Sequence, residues 1–130
     1  MTTKKNVLVV DDDTDILEQV SLTMKAEGYC VATAGGQEEA EETLLQFIPD
    51  LAIIDLMMEH MDSGFALCHH IKKLYPEVPV ILLTAVTAAT GLDFSARKDG
   101  SASWMQADVL LDKPARPEQL RAEAKRLMRV

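Results

Sequence analysis

Long apolar runs are missing from this 130-residue chain. None approaches the roughly 20 residues that cross a bilayer, so membrane insertion is not expected. The opening stretch MTTKKNVLVV carries two lysines, but its apolar part stops at Asp11, too soon for the core of a signal peptide. Nothing directs the chain out of the cytoplasm. Cysteine is scarce. Cys30 and Cys68 sit among apolar neighbours and read as reduced, buried residues, not as a disulfide framework. Positive charge is short as well: 13 Lys and Arg against 21 Asp and Glu leave a net charge of −8, which argues against a direct role on nucleic acid. The cations gather near the C-terminus (Arg116, Arg121, Lys125, Arg126, Arg129). There they suit the solvated last turns of a helix better than a phosphate-binding patch. Repeats and low-complexity linkers are absent too. A single domain over residues 1–130, with no output domain, is the expectation.

What the chain does have is an alternation of short apolar runs with amphipathic stretches, the pattern of a parallel sheet with helical crossovers. Residues 7–10 are continuously apolar, as in a central strand covered on both faces. Ile16, Leu17, Val20 and Met24 then recur at helical spacing over residues 14–27, and Gly28 supplies a stop. A second strand is expected over 29–34, and an acidic helix over 37–47 with Ala40, Leu44 and Phe47 inward. LAIID is the third strand, followed by a helix over 65–75 with Leu67, Ile71 and Leu74 on one face. VPVILLTA, residues 78–85, is the fourth strand and VLLD the fifth. PEQLRAEAKRLM forms a final helix with Pro117 at its start. Residues 86–107, where Gly91, Gly100 and SAS break the pattern, read as an irregular helical region with at most a short helix at FSARKD.

The carboxyl ends of these strands carry the chemistry. In an open parallel sheet, ligands collect outside those ends. The first strand ends on Asp11, Asp12 and Asp13, the third on Asp55, the fourth on Thr84 and the fifth on Lys113. Oxygen ligands with net negative charge suit a hard divalent cation such as Mg²⁺. A carboxylate can also attack phosphorus, and phosphoryl transfer wants cations and donors on the moving oxygens. Asp13 has a plainer task, capping the helix that follows, with Asp15 in its first turn.

With VLVVDDD, LAIIDLMM, VILLTA and LLDKP in this order and spacing, the chain resembles the receiver domains of two-component response regulators, the CheY-like family. The resemblance covers residues 5–130. It implies a doubly wound α/β fold, a flavodoxin-like three-layer sandwich around a five-stranded parallel sheet of order 2-1-3-4-5. It implies a signalling phosphoacceptor, not an enzyme, acting in a phosphorelay. Asp55 would be the phosphoacceptor. Asp11, Asp12, Asp55 and the backbone carbonyl of Met57 would hold Mg²⁺ or Mn²⁺. Thr84, Ala85 and Lys113 would bind the phosphoryl group and switch. The implied partners are a histidine kinase or His-phosphotransfer protein and an unknown downstream target, with homodimerisation on phosphorylation a further expectation.

Four departures from the family pattern are visible. Glu59 stands where a proline is usual, and Ser63 is inserted before Gly64, lengthening the loop beside Asp55 by one residue. Lys113 follows Thr84 by 29 residues, several more than usual, so the fourth helix is expected to be irregular, anchored by Trp104. Leu110 replaces an aromatic residue that turns inward on activation, and it and Trp104 are the output-face candidates. Met57 and Val86, at positions that tune access of the hydrolytic water, are both apolar, which predicts a long-lived phosphoryl-aspartate.

Other readings lie beside this one. A haloacid-dehalogenase-type phosphatase uses similar residues, but its nucleophile is on the first strand, and DDDTD fits its motif poorly. A non-phosphorylated pseudo-receiver would be a binding module. His60, His69 and His70 with Cys68 suggest a transition-metal site, yet adjacent helical histidines point in different directions. Met57, Met58 and Met61 read as core and loop packing. Glu59 and His60 lie near enough to Asp55 in sequence to touch a phosphodonor.

Overall fold

A computed structural model describes residues 4–56, 63–84, 108–113 and 115–129. Its strands are β1 (Asn6–Val10), β2 (Cys30–Ala34), β3 (Leu51–Asp55), β4 (Val80–Thr84) and β5 (Val109–Asp112). Its helices among the described residues are α1 (Thr14–Ala26), α2 (Gln37–Thr43), α3 (Ser63–Leu74) and α4 (Pro117–Met128). The strands form one parallel sheet in the order β2-β1-β3-β4-β5. This is the expected α/β architecture and strand order.

The sheet's centre explains its sequence. β3 and β4 are buried along their whole length and β1 over all but its first residue, so both faces of each strand must be apolar. Alternation along each strand divides the core in two. Leu8, Val10, Ile54 and Leu82 pack with Ala40, Leu44, Leu67 and Ile71 under α2 and α3. Val7, Val9, Ile53 and Ile81 pack with Val20, Met24, Leu120 and Ala124 under α1 and α4. The result is three layers.

Local chemistry sets the helix ends. The Asp13 carboxylate accepts from the amides of Asp15 (3.0 Å) and Ile16 (3.3 Å), the expected cap of α1. Gly28, at φ 89°, ends the same helix in a conformation that other residues rarely adopt. Helix α2 is shorter than expected. After Thr43 the amides of Leu45 and Gln46 bond back three residues, to Glu42 and Thr43, a tightened turn that winds down before Pro49.

Three further expectations are corrected. Cys30 is exposed, not buried, because it opens β2 at the sheet's edge. Leu74 is exposed: it closes α3, and the next residue, Tyr75, packs on the core with its hydroxyl donating to the Leu44 carbonyl at 3.3 Å. Strand β4 begins at Val80 instead of 78, since the Val78 amide turns back to the Tyr75 carbonyl at 3.1 Å and Pro79 has no amide to donate. The expected irregular helix, together with Ala85, Val86 and Trp104, lies outside the described residues, as do Met57, Met58, Glu59, His60 and Met61.

Candidate functional site

At the carboxyl edge of the sheet, β1 and β3 are hydrogen-bonded neighbours, so Asp11 and Asp55 emerge side by side. Backbone bonds carry each strand slightly beyond its end: the Asp11 amide donates to the Ala34 carbonyl (3.1 Å), and that of Leu56 to Leu83 (2.8 Å). Carboxylate oxygens of Asp11, Asp12 and Asp55 lie within 4.8 Å of one another. Asp11 and Asp55 are buried and Asp12 is exposed. Such crowding is costly without a counter-charge.

Lys113 supplies one. Its Nζ lies 3.0 Å from Asp11 Oδ2 and 3.0 Å from Asp55 Oδ1, bridging two strand ends. Burial alone would lower the pKa of this amine, but the close contacts and charges of Asp11 and Asp55 outweigh it, and the net shift is upward. The lysine is held from behind as well, because its amide donates to the Thr84 carbonyl at 2.8 Å. Thr84 is buried at the end of β4, one residue beyond the Leu83 that pairs with Asp55.

One amine does not balance three carboxylates. Asp11 Oδ1 accepts from the Asp13 amide at 2.9 Å. Asp11 Oδ2 is buried and, despite its ion pair, makes no hydrogen bond of good geometry among the described residues. A buried carboxylate oxygen left this way, beside two further oxygen donors, fits a hard divalent cation. His69, His70 and Cys68 join no such group; among the described residues the three aspartates form the only one. The C-terminal cations pair instead with acids: Lys125 and Arg121 reach Glu27 at 3.3 and 3.8 Å, and Arg126 reaches Glu123.

A family model described as the response regulator receiver domain matches residues 7–125. The chain belongs to this family. Among solved structures, the receiver resembles a CheY-like receiver domain protein from Methanospirillum hungatei, with a TM-score of 0.81 and 27% identity over 98% of this chain and 95% of that one. It is 34% identical to a probable transcriptional regulator, ycf27, of Guillardia theta, over 99% of this chain and 47% of the relative. It is 28% identical to the DNA-binding response regulator MtrA of Mycobacterium bovis, over 98% of this chain and 52% of the relative. The chain thus spans about half the length of these curated relatives.

The structure of the receiver brings together Asp11, Asp12, Asp55, Thr84 and Lys113. Leu110, in β5, is half-buried and packs against the core beneath α2 and α3. The Met57 carbonyl, Ala85, Val86 and Trp104 lie outside the described residues. Helix α3 starts at Ser63, and Gly64 then lies so close to β3 that an added Cβ would be 2.5 Å from Leu56 Cα and 2.6 Å from the Asp55 carbonyl oxygen. Asp108, which is bonded to residues 28 and 36 positions away, carries no mark of its own in the sequence. No local pattern announces such a contact.

Proposed function

We propose that this receiver takes a phosphoryl group on Asp55 from the phosphohistidine of a histidine kinase or a His-phosphotransfer protein, and signals by changing conformation. The observation that carries the reading is the bridge from Lys113 to Asp55 and Asp11, at 3.0 Å each, beside a third carboxylate. An Asp55 oxygen attacks phosphorus, the phosphorus–nitrogen bond breaks, and the departing imidazole takes up a proton. Lys113 exchanges a carboxylate contact for a phosphoryl oxygen, and the Thr84 hydroxyl donates to another. Asp11, Asp12 and Asp55 would hold Mg²⁺ or Mn²⁺, and the resemblance adds the Met57 carbonyl as a further ligand. When bound, that cation neutralises charge on the transferring oxygens.

The chain itself is a signalling phosphoacceptor and not a turnover enzyme. No helix among the described residues is long and apolar enough to cross a membrane. The proposed site of action is the cytoplasm, where the donor and a downstream protein would be met, with homodimerisation on phosphorylation as one output. One relative is named as a probable transcriptional regulator and the other as a DNA-binding response regulator. With a net charge of −8, residues 1–130 are suited to governing such an output without themselves contacting DNA.

The test is intact mass after incubation with Mg²⁺ and acetyl phosphate. Wild type should gain about 80 Da, one phosphoryl group, and Asp55→Asn should gain nothing. An adduct that survives Asp55→Asn, or no adduct on wild type, defeats the proposal. Following the adduct after donor removal measures its lifetime; with apolar Met57 and Val86 two positions after Asp55 and Thr84 in the sequence, it should outlast seconds.

A further inference from the structure

Strand β5 sets where Lys113 falls, yet little in its own sequence fixes its register. It has four residues, lies at the sheet's edge and pairs, among the described residues, only with β4. Its apolar residues Val109, Leu110 and Leu111 are consecutive and supply both core clusters. A one-residue slip would therefore still place apolar side chains on both faces, while reversing Lys113 and moving it about 3.3 Å along the sheet. Hydrophobic pattern cannot select the register here.

We propose that Asp108 is the positioning residue for Lys113, acting as a register pin at the opposite end of β5. Its amide donates to the Val80 carbonyl at 2.9 Å, and its Oδ2 accepts from the Val80 amide at 2.9 Å. The same oxygen accepts from Lys72 Nζ of α3 at 2.8 Å, which fixes the carboxylate's orientation. Asp108 is thus tied to the first residue of β4 by both backbone and side chain. At the other end, the Lys113 amide closes on the last residue of β4, Thr84. Between these ties the pairs run Ile81–Val109, Leu82–Leu110, Leu83–Leu111 and Thr84–Asp112. A slipped strand would leave the Val80 amide without the carboxylate and the carboxylate without its amide, a cost the apolar residues do not impose.

The inference concerns the placement of Lys113, and its importance for chemistry rests on the phosphoacceptor reading, so two readouts are needed. The first is native-state hydrogen exchange on the full chain. Asp108→Ala should speed exchange of the Lys113 amide at least tenfold while Val9 in β1 and Ile53 in β3 change less than twofold. Asp108→Asn, which keeps an acceptor for the Val80 amide, should restore most of the protection. Unchanged Lys113 exchange, equal acceleration throughout the sheet, or an Asn variant as fast as Ala would overturn the proposal whether or not the protein is phosphorylated. The second is the rate of acetyl phosphate labelling in the wild-type and Lys113→Ala backgrounds, at a temperature where circular dichroism shows every variant folded. Asp108→Ala should slow wild type about fivefold and the Lys113→Ala protein less than twofold, because the lysine it positions is gone. Equal losses in both backgrounds would assign Asp108 a merely structural role. A wild type that gains no label defeats the phosphoacceptor reading alone and leaves the exchange result to decide this one.

Discussion

Asp11 divides its carboxylate between two tasks. Oδ1 accepts the Asp13 amide and shapes the turn into α1, while Oδ2 is buried, faces Lys113 and lacks a hydrogen bond of good geometry among the described residues. The second oxygen therefore costs stability whenever no divalent cation is present. Asp11→Asn keeps an acceptor for the Asp13 amide and removes the buried charge. Without Mg²⁺ it should stabilise the protein by about 1 kcal/mol, since neutralising an imperfectly compensated buried charge is often stabilising. The thermal midpoint in chelator should rise by a few degrees. Added Mg²⁺ should shift that midpoint less than it shifts wild type. A lower midpoint in chelator would show that the Lys113 contact outweighs the crowding.

At the scale of elements, the most exacting junction is where α3 meets the end of β3. The Gly64 amide donates to the Leu56 carbonyl at 2.9 Å, and a side chain there would collide with backbone, which cannot rotate away. Gly64→Ala should destabilise by about 1–3 kcal/mol, the usual cost of overpacking, read as a lower urea midpoint with an unchanged slope. It should also slow labelling of Asp55, whose carbonyl is among the atoms crowded. The elements themselves were largely legible: continuous apolar runs gave the central strands, and Asp13 and Gly28 marked the two ends of α1. Burial was less so. Cys30 and Leu74 carry the residue types of a core but stand at an edge and a helix end, places that only the assembled sheet defines. The site read well because five of its side chains sit at or just beyond the ends of recognisable strands. Asp108 did not, because its partners are brought to it only by the β4–β5 pairing and the packing of α3.

For the molecule as a whole, Cys68 and Lys113 are among the groups that make stability fall on the alkaline side. Burial pushes the Cys68 thiol up from 9.0 to about 11; the charge of Lys72 opposes the shift and that of Asp108 adds to it. The unfolded thiol loses its proton near 9.0 while the folded one keeps it, so stability declines as pH rises through that window. Lys113, with its pKa raised above the usual 10.5, contributes fully below that value and loses its contribution as pH climbs past it. Both effects have the same sign. Urea midpoints measured from neutral pH to about 11 should fall steadily, and Cys68→Ala should flatten the first part of the decline.

The lysine bridge also separates two properties that often fail together in proteins built around a metal. Because Lys113 already serves as an internal counter-ion for Asp11 and Asp55, the fold should assemble without a metal. Stripping divalent cations should silence labelling while circular dichroism stays native, and loss of helical signal in chelator would contradict this. On the proposed phosphoacceptor reading, divalent cation would be a condition on receiving the signal and not on existing as a folded protein.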